Sequence, residues 1–303
     1  MTRFAILGLF GISSACQTMP GTGGGRGIDA AWDRGTGASP GGEQSGHVDV
    51  GMGEHLYVAL DQPSRRAKQK RVRVWATHYS VHSAREASRR EGRALRNTKN
   101  RSLGVRLSRK DWCRAAMQGT VQITRRSGEV ETYQFVKTGD YEQVDCRRIF
   151  PRHPAIGRSR FRKVNKSRLK GARGAQLIPY RSVAVDRRRF PSGTLLYVPA
   201  AKGTAIKLSS GKTWIHDGYF FAADRGGGLR GGHIDVYLGT ARKNPFRFVK
   251  SRQEAAVVAY VVTDKKLVDD MARLHGVLKD AEDTRLARRA LRKRRRPAPQ
   301  RRS

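Results

Sequence analysis

The sequence predicts a mainly β protein, a barrel or sandwich in which helices play a minor part. Two observations predict it. Short runs rich in β-branched and aromatic residues recur from Arg71 to Val262, separated by Gly- and Pro-containing turns. Only two segments carry clear helix signals. At 303 residues and 38% hydrophobic content, the chain has apolar material for one real core and is not wholly disordered. No apolar run approaches the roughly 18–20 residues of a membrane-spanning helix.

The elements follow in order. Residues 71–80 (RVRVWATHYS) alternate and read as a strand. Residues 84–102 are polar and basic, helix or loop. Ser108 and Asp111 form a capping box that opens a short helix through Ala116. Residues 119–124 and 130–136 read as two strands of a hairpin turning at Arg126-Ser127-Gly128. Residues 147–176 lack periodicity and read as a long basic loop. Strands return at 182–185, 194–198, 205–208, 219–223, 233–238 and 256–262. Residues 264–278 read as one amphipathic helix, followed by an Arg-rich tail.

The formal net charge is +37, from 62 Lys and Arg against 25 Asp and Glu. Residues 285–303 hold ten basic residues and no acid, while 17–53 hold two basic and four acidic. Most of the excess therefore lies on the body, 54–284. Such a balance points to an acidic partner: nucleic acid, an anionic membrane or an acidic polymer. The bland reading is a solvated Arg-rich surface.

Residues 1–16 (MTRFAILGLFGISSAC) set one Arg before a short apolar stretch and then small residues, a secretory signal pattern. Cys16 follows the small residues directly, which resembles a bacterial lipoprotein signal with Cys16 acylated; ordinary cleavage after Ser13-Ser14-Ala15 is the alternative. Either route exports the chain, to the periplasm and, for the lipoprotein, to the outer membrane. Export argues against a nucleic-acid partner. Residues 17–53 contain twelve glycines and read as a flexible linker. Cys113 and Cys146 would then meet an oxidising compartment, where they pair or stay as buried thiols. Pairing would contribute about 3 kcal/mol in the chain-entropy model.

Three segments carry the candidate chemistry: VAVD, ending at Asp186, with FPSGT at 190–194; FFAADRGGG, carrying Asp224; and HIDVY, carrying Asp235. Each places an Asp near a strand end or glycine turn. Five glycines lie between Asp224 and Asp235, so the chain can double back and bring the two carboxylates together. Such pairs support general acid–base chemistry, because repulsion and burial keep one protonated while the other stays charged. Taken alone, Asp beside Gly is most often only a turn residue.

The run VAVD…FPSGTLLYVP…GYFFAADRGGGLRGGHIDVYLG resembles the 3D domain, named for its three aspartates. That domain is shared by the membrane-bound lytic murein transglycosylase A family and a set of cell-wall proteins. The resemblance is strong over 178–263 and thinner over the WATHY strand. It implies a six-stranded double-psi β-barrel over 54–263 with an α+β insertion at about 84–176, between the linker and a 264–303 helix and tail. It implies cleavage of the glycosidic bond between N-acetylmuramic acid and N-acetylglucosamine in peptidoglycan, with formation of 1,6-anhydro-N-acetylmuramic acid. In that role Asp235 is the general acid and then base, Asp224 supports it, and Asp186 is less directly involved. Gly226, Gly227, Arg230, Thr77 and Tyr79 become candidate substrate contacts, and no cofactor is implied. The usual Thr after the second Asp is Arg225 here. A guanidinium against the pair would favour ionised carboxylates, so a binding-only cell-wall module is the alternative reading.

Smaller signals stay with their ordinary explanations. His78, His82 and the His216-Asp217 step form no closed four-ligand spacing, and no metal site is predicted. Trp75, Tyr79, Tyr219 and Tyr237 are candidates for stacking on sugars, with core packing the alternative.

Overall fold

The computed structural model describes residues 54–165 and 169–278. The predicted signal, Cys16, the linker and residues 279–303 of the tail lie outside the described residues. In chain order the elements are β1 (Lys68–Tyr79), β2 (His82–Arg85), β3 (Arg93–Arg96), β4 (Ser102–Leu107), α1 (Arg109–Gln118), β5 (Thr120–Thr124), β6 (Val130–Thr138) and β7 (Ser159–Val164). They continue with β8 (Ser182–Val185), β9 (Leu195–Tyr197), β10 (Ala205–Lys207), β11 (Thr213–Ile215), β12 (Tyr219–Arg225), β13 (His233–Tyr237), β14 (Val257–Val262) and α2 (Lys265–Leu274).

Six strands close a barrel in the order β1-β13-β8-β12-β9-β14. Two neighbouring pairs are parallel, β1 with β13 and β8 with β12, and the remaining pairs are antiparallel. This is the double-psi barrel implied by the sequence. Alternation decides which face points in. On β1, Val72, Val74 and Ala76 are buried inside, while Arg71 and Arg73 stand exposed outside. Val183, Val185, Leu196, Phe220, Ala222, Ile234 and Val236 complete the interior.

The opposite faces of several barrel strands are buried too. Leu195, Tyr197, Tyr219 and Phe221 pack with Leu177, Ile178 and with Met271 and Ala272 of α2. Helix α2 opens on Asp264, whose side chain accepts a hydrogen bond from the Leu267 N–H at 3.0 Å, and it presents its apolar stripe to this layer. Tyr219 and Tyr237 are both buried, so they serve packing and not a sugar groove.

The insertion has its own core. Strands β2, β5, β6 and β7 form one sheet, and β3 and β4 form a hairpin. Leu95, Val105, Leu107, Trp112, Tyr133 and Phe161 pack between sheet, hairpin and α1. Ser108 caps α1 by accepting from the Asp111 N–H at 3.1 Å. The helix stops at Gly119, whose left-handed backbone (φ 75°) lets its N–H reach the Ala115 carbonyl at 2.9 Å. Cys113 on α1 is disulfide-bonded to Cys146, with Cα atoms 5.6 Å apart.

Two expectations are corrected here. The basic stretch 147–176 contains β7, and 84–102 contains half of β2 and all of β3. In β7 the charge hides the alternation. Phe161 faces the core, and the guanidinium of buried Arg160 is satisfied by the carbonyls of Arg158 at 2.8 Å and Tyr141 at 3.1 Å. The strand at 205–207 exists but belongs to a separate hairpin with β11, outside the barrel.

Candidate active site

The barrel register sets the site. Asp224 on β12 lies beside Ala184 on β8, Ala184 lies beside Asp235 on β13, and Asp235 lies beside Thr77 on β1. Four adjacent strands thus present one row, Asp224–Ala184–Asp235–Thr77. Partners one strand apart lie about 4.8 Å from each other, so the two aspartates flank a single methyl group across two such steps. A register shift between Ala222 and Asp224 makes this arrangement. Ala222 points into the barrel, and without the irregularity strict alternation would send Asp224 inside with it.

Each carboxylate is held. Thr77 Oγ1 donates to Asp235 Oδ1 at 2.7 Å. Tyr79, two residues further along β1 on the same face, donates its hydroxyl to Asp224 Oδ2 at 3.2 Å. The Arg225 N–H donates to Asp224 Oδ1 at 2.8 Å, and the Ala172 N–H also reaches this carboxylate. The Ala172 segment comes this close because residue 171 is glycine: a Cβ there would stand 2.4 Å from the Ala223 carbonyl oxygen and 3.0 Å from Asp224 Cβ.

Burial pushes the Asp224 carboxyl above its ordinary range, and this outweighs the opposing hydrogen bonds from Arg225 and Tyr79. Arg225 itself is exposed, and its charge acts only as a minor opposing influence. Tyr79 is pushed well above its usual value by burial first, then by the charges of Asp224 and Asp235, so it stays a hydrogen-bond donor. One phenol therefore senses both carboxylates.

Asp186 stands apart from this row. Its Oδ2 accepts from the Gly231 N–H at 2.9 Å and its Oδ1 from the Arg188 N–H at 3.0 Å. Those backbone bonds, with Arg230 and Arg188 nearby, lower its pKa. Asp186 is thus a fastener for the glycine loop between β12 and β13. Arg230 braces the same loop by donating to the Gly227 and Leu229 carbonyls at 2.9 and 2.7 Å. Gly226 lies tight against Leu229, whereas a Cβ at Gly227 would meet open space. From the insertion, His153 approaches Gly228, its Cε1 3.7 Å from where a Cβ would be.

The structure brings together Thr77, Tyr79, Asp224 and Asp235, and places Gly226, Gly227 and Arg230 in the adjoining loop, which Asp186 holds from the end of β8. Sequence reasoning missed Ala184, whose small side chain leaves room between the carboxylates, and His233. The His233 ring stacks on Trp75, centroids 3.5 Å apart, and its Nε2 lies 2.8 Å from Thr77 Oγ1. Only the cross-strand register Trp75–His233 reveals that contact. Two other described histidines are structural. His82 pairs with Asp111 at 3.0 Å, and His216 bonds the Tyr180 carbonyl and the Gly218 N–H, each at 2.9 Å. Among the described residues no cluster of His, Cys, Asp or Glu could hold a metal, and no helix is long and apolar enough to cross a membrane.

Residues 181–258 match the family model of the 3D domain. A search of curated proteins found no match. Among solved structures, Escherichia coli MltA with bound chitohexaose is 16% identical at a TM-score of 0.43, over 63% of this chain and 72% of that one. A membrane-bound lytic murein transglycosylase from Agrobacterium tumefaciens is 14% identical at a TM-score of 0.41, over 66% and 78%. The lytic transglycosylase LtgG of Burkholderia pseudomallei is 16% identical at a TM-score of 0.31, over 61% and 70%.

Proposed function

We propose that this chain, which carries a 3D domain at residues 181–258, is an exported peptidoglycan lytic transglycosylase. The observation that carries the reading is the row of two carboxylates flanking Ala184 on the barrel wall. Asp235 protonates the glycosidic oxygen between N-acetylmuramic acid and N-acetylglucosamine as the bond breaks. It then takes the proton from the muramyl C6 hydroxyl, whose oxygen attacks C1 and closes the 1,6-anhydro ring. No water is consumed. Both oxygens of Asp224 accept hydrogen bonds, from Tyr79 and from Arg225 N–H, so it is fixed beside the reacting bond. Its raised pKa lowers the negative charge facing Asp235. Arg230, Gly226 and Gly227 line the approach as a loop of exposed backbone, and the positive body holds the anionic wall polymer.

A second reading, a binding-only wall module, draws on Arg225 in place of the usual threonine. The exposure of Arg225 and the net upward direction at Asp224 favour catalysis. The experiment is digestion of purified sacculi with mass spectrometry of the soluble products. The proposal expects 1,6-anhydro muropeptides. Reducing-end products would mean hydrolysis, and binding without soluble product would mean the module.

A further inference from the structure

Thr77 has one hydroxyl proton, and it is directed at Asp235 Oδ1. The 2.8 Å contact between Thr77 Oγ1 and His233 Nε2 must then run the other way, from a ring N–H to the hydroxyl oxygen. That fixes the imidazole as the Nε2-protonated tautomer. The ring is held for this task on three sides. It stacks on Trp75 at an interplanar angle of 18°, it is 7% exposed, and its backbone N–H bonds the Arg230 carbonyl at 3.2 Å.

We propose that His233 is a positioning residue for Asp235: its imidazole donates Nε2–H to Thr77, which turns the threonine proton onto Oδ1 and so holds the carboxyl in one orientation. The inference rests on the reading of Asp235 as the acid and adds a regulator of that same site. Burial supports it by lowering the His233 pKa to about 4, so the ring stays neutral at pH 7. A neutral ring places no cation beside the carboxyl that must hold a proton. With the imidazole gone, Thr77 can rotate its hydroxyl elsewhere, and the bond that orients Asp235 is weakened.

The test compares His233→Phe, which keeps a ring against Trp75 but loses the donor, with His233→Gln, which keeps an N–H. Release of 1,6-anhydro products from soluble glycan strands is followed in both. His233→Phe is expected to lower kcat about tenfold at unchanged KM, the scale of one lost hydrogen bond in the transition state. His233→Gln should recover most of that loss. Because His233 acts through Thr77, the double variant with Thr77→Val should be no slower than Thr77→Val alone. Wild-type kcat in His233→Phe, or losses that multiply in the double variant, would overturn the inference. Nitrogen-15 NMR of the wild-type imidazole gives a readout independent of activity and of the variants' folding. An Nε2-protonated ring supports the chain of bonds, and an Nδ1-protonated ring refutes it. A wild type that makes no anhydro product but carries the Nε2 tautomer would sink the function and leave the bond chain standing, which separates the two failures.

Discussion

Two regions of the barrel each hold a carboxylate, and they hold it in opposite ways. At one, Asp217 is buried beneath the segment 56–61. Arg181, with 0% exposure, grips both its oxygens at 2.9 Å, and the Leu60 N–H adds a third bond at 2.8 Å. The Arg181 guanidinium also lies 4.7 Å from the Trp214 ring centroid and donates to the Val58 carbonyl. At the other, Asp224 sits half-buried beside Ala184 and takes hydrogen bonds from neutral donors, Tyr79 and backbone N–H groups, with Asp235 one strand further along the row. A carboxylate gripped at both oxygens by a buried guanidinium is committed to structure. A carboxyl held by neutral donors at a partly dry surface can still exchange a proton. In a chain of net charge +37, the second arrangement requires that arginines be turned outward, as Arg225 is.

The largest effect that would break this contrast is on stability. Arg181→Ala leaves Asp217 buried without its cation and should cost about 3–5 kcal/mol, read by urea unfolding. Asp224→Asn should do the reverse. It removes a carboxyl whose folded pKa is raised, so the wild type loses stability as pH rises from the ordinary carboxylate range through the folded value. The variant should therefore be at least as stable as wild type at pH 7, yet lose activity by about a hundredfold.

A smaller effect comes from the buried histidines. Burial lowers His216 from 6.5 to about 4 and His275 from 6.5 to about 3. Below pH 6.5 the unfolded chain binds protons that the folded chain does not, so stability falls with falling pH until those folded values are reached. Tm should drop between pH 7 and pH 4, and less in a His275→Gln variant; an equal drop in that variant would remove His275 from the explanation. The smallest expected effect separates two glycines of the site. Gly227→Ala meets open space and should leave activity within about twofold, while Gly171→Ala collides with the Ala223 carbonyl oxygen and should lower it clearly.

Much of the fold was legible because barrel strands carry alternation that charge does not obscure, as in RVRVWATHY and HIDVY. Strands β2, β3, β4, β7 and β11 were not, because they lie at sheet edges or in two-stranded hairpins, and β7 itself buries an arginine, Arg160. Arg181 was illegible for a related reason: among 62 Lys and Arg, nothing local marks it as buried. The candidate site was legible as three aspartates on strand ends. It was not legible as a row, since that depends on register across four strands and on one irregularity at Ala222–Asp224. Nor could spacing separate Asp186, which fastens a loop, from the two that face each other across Ala184.

The central claim is that Asp235 performs the proton transfers while the row around it only holds it in place. The most direct measurement is release of 1,6-anhydro muropeptides from sacculi by Asp235→Asn, at a pH and temperature where its unfolding curve overlays that of the wild type. The account predicts loss of product by about a hundredfold or more, with sacculus binding retained. Product at the wild-type rate from a folded Asp235→Asn protein would contradict it.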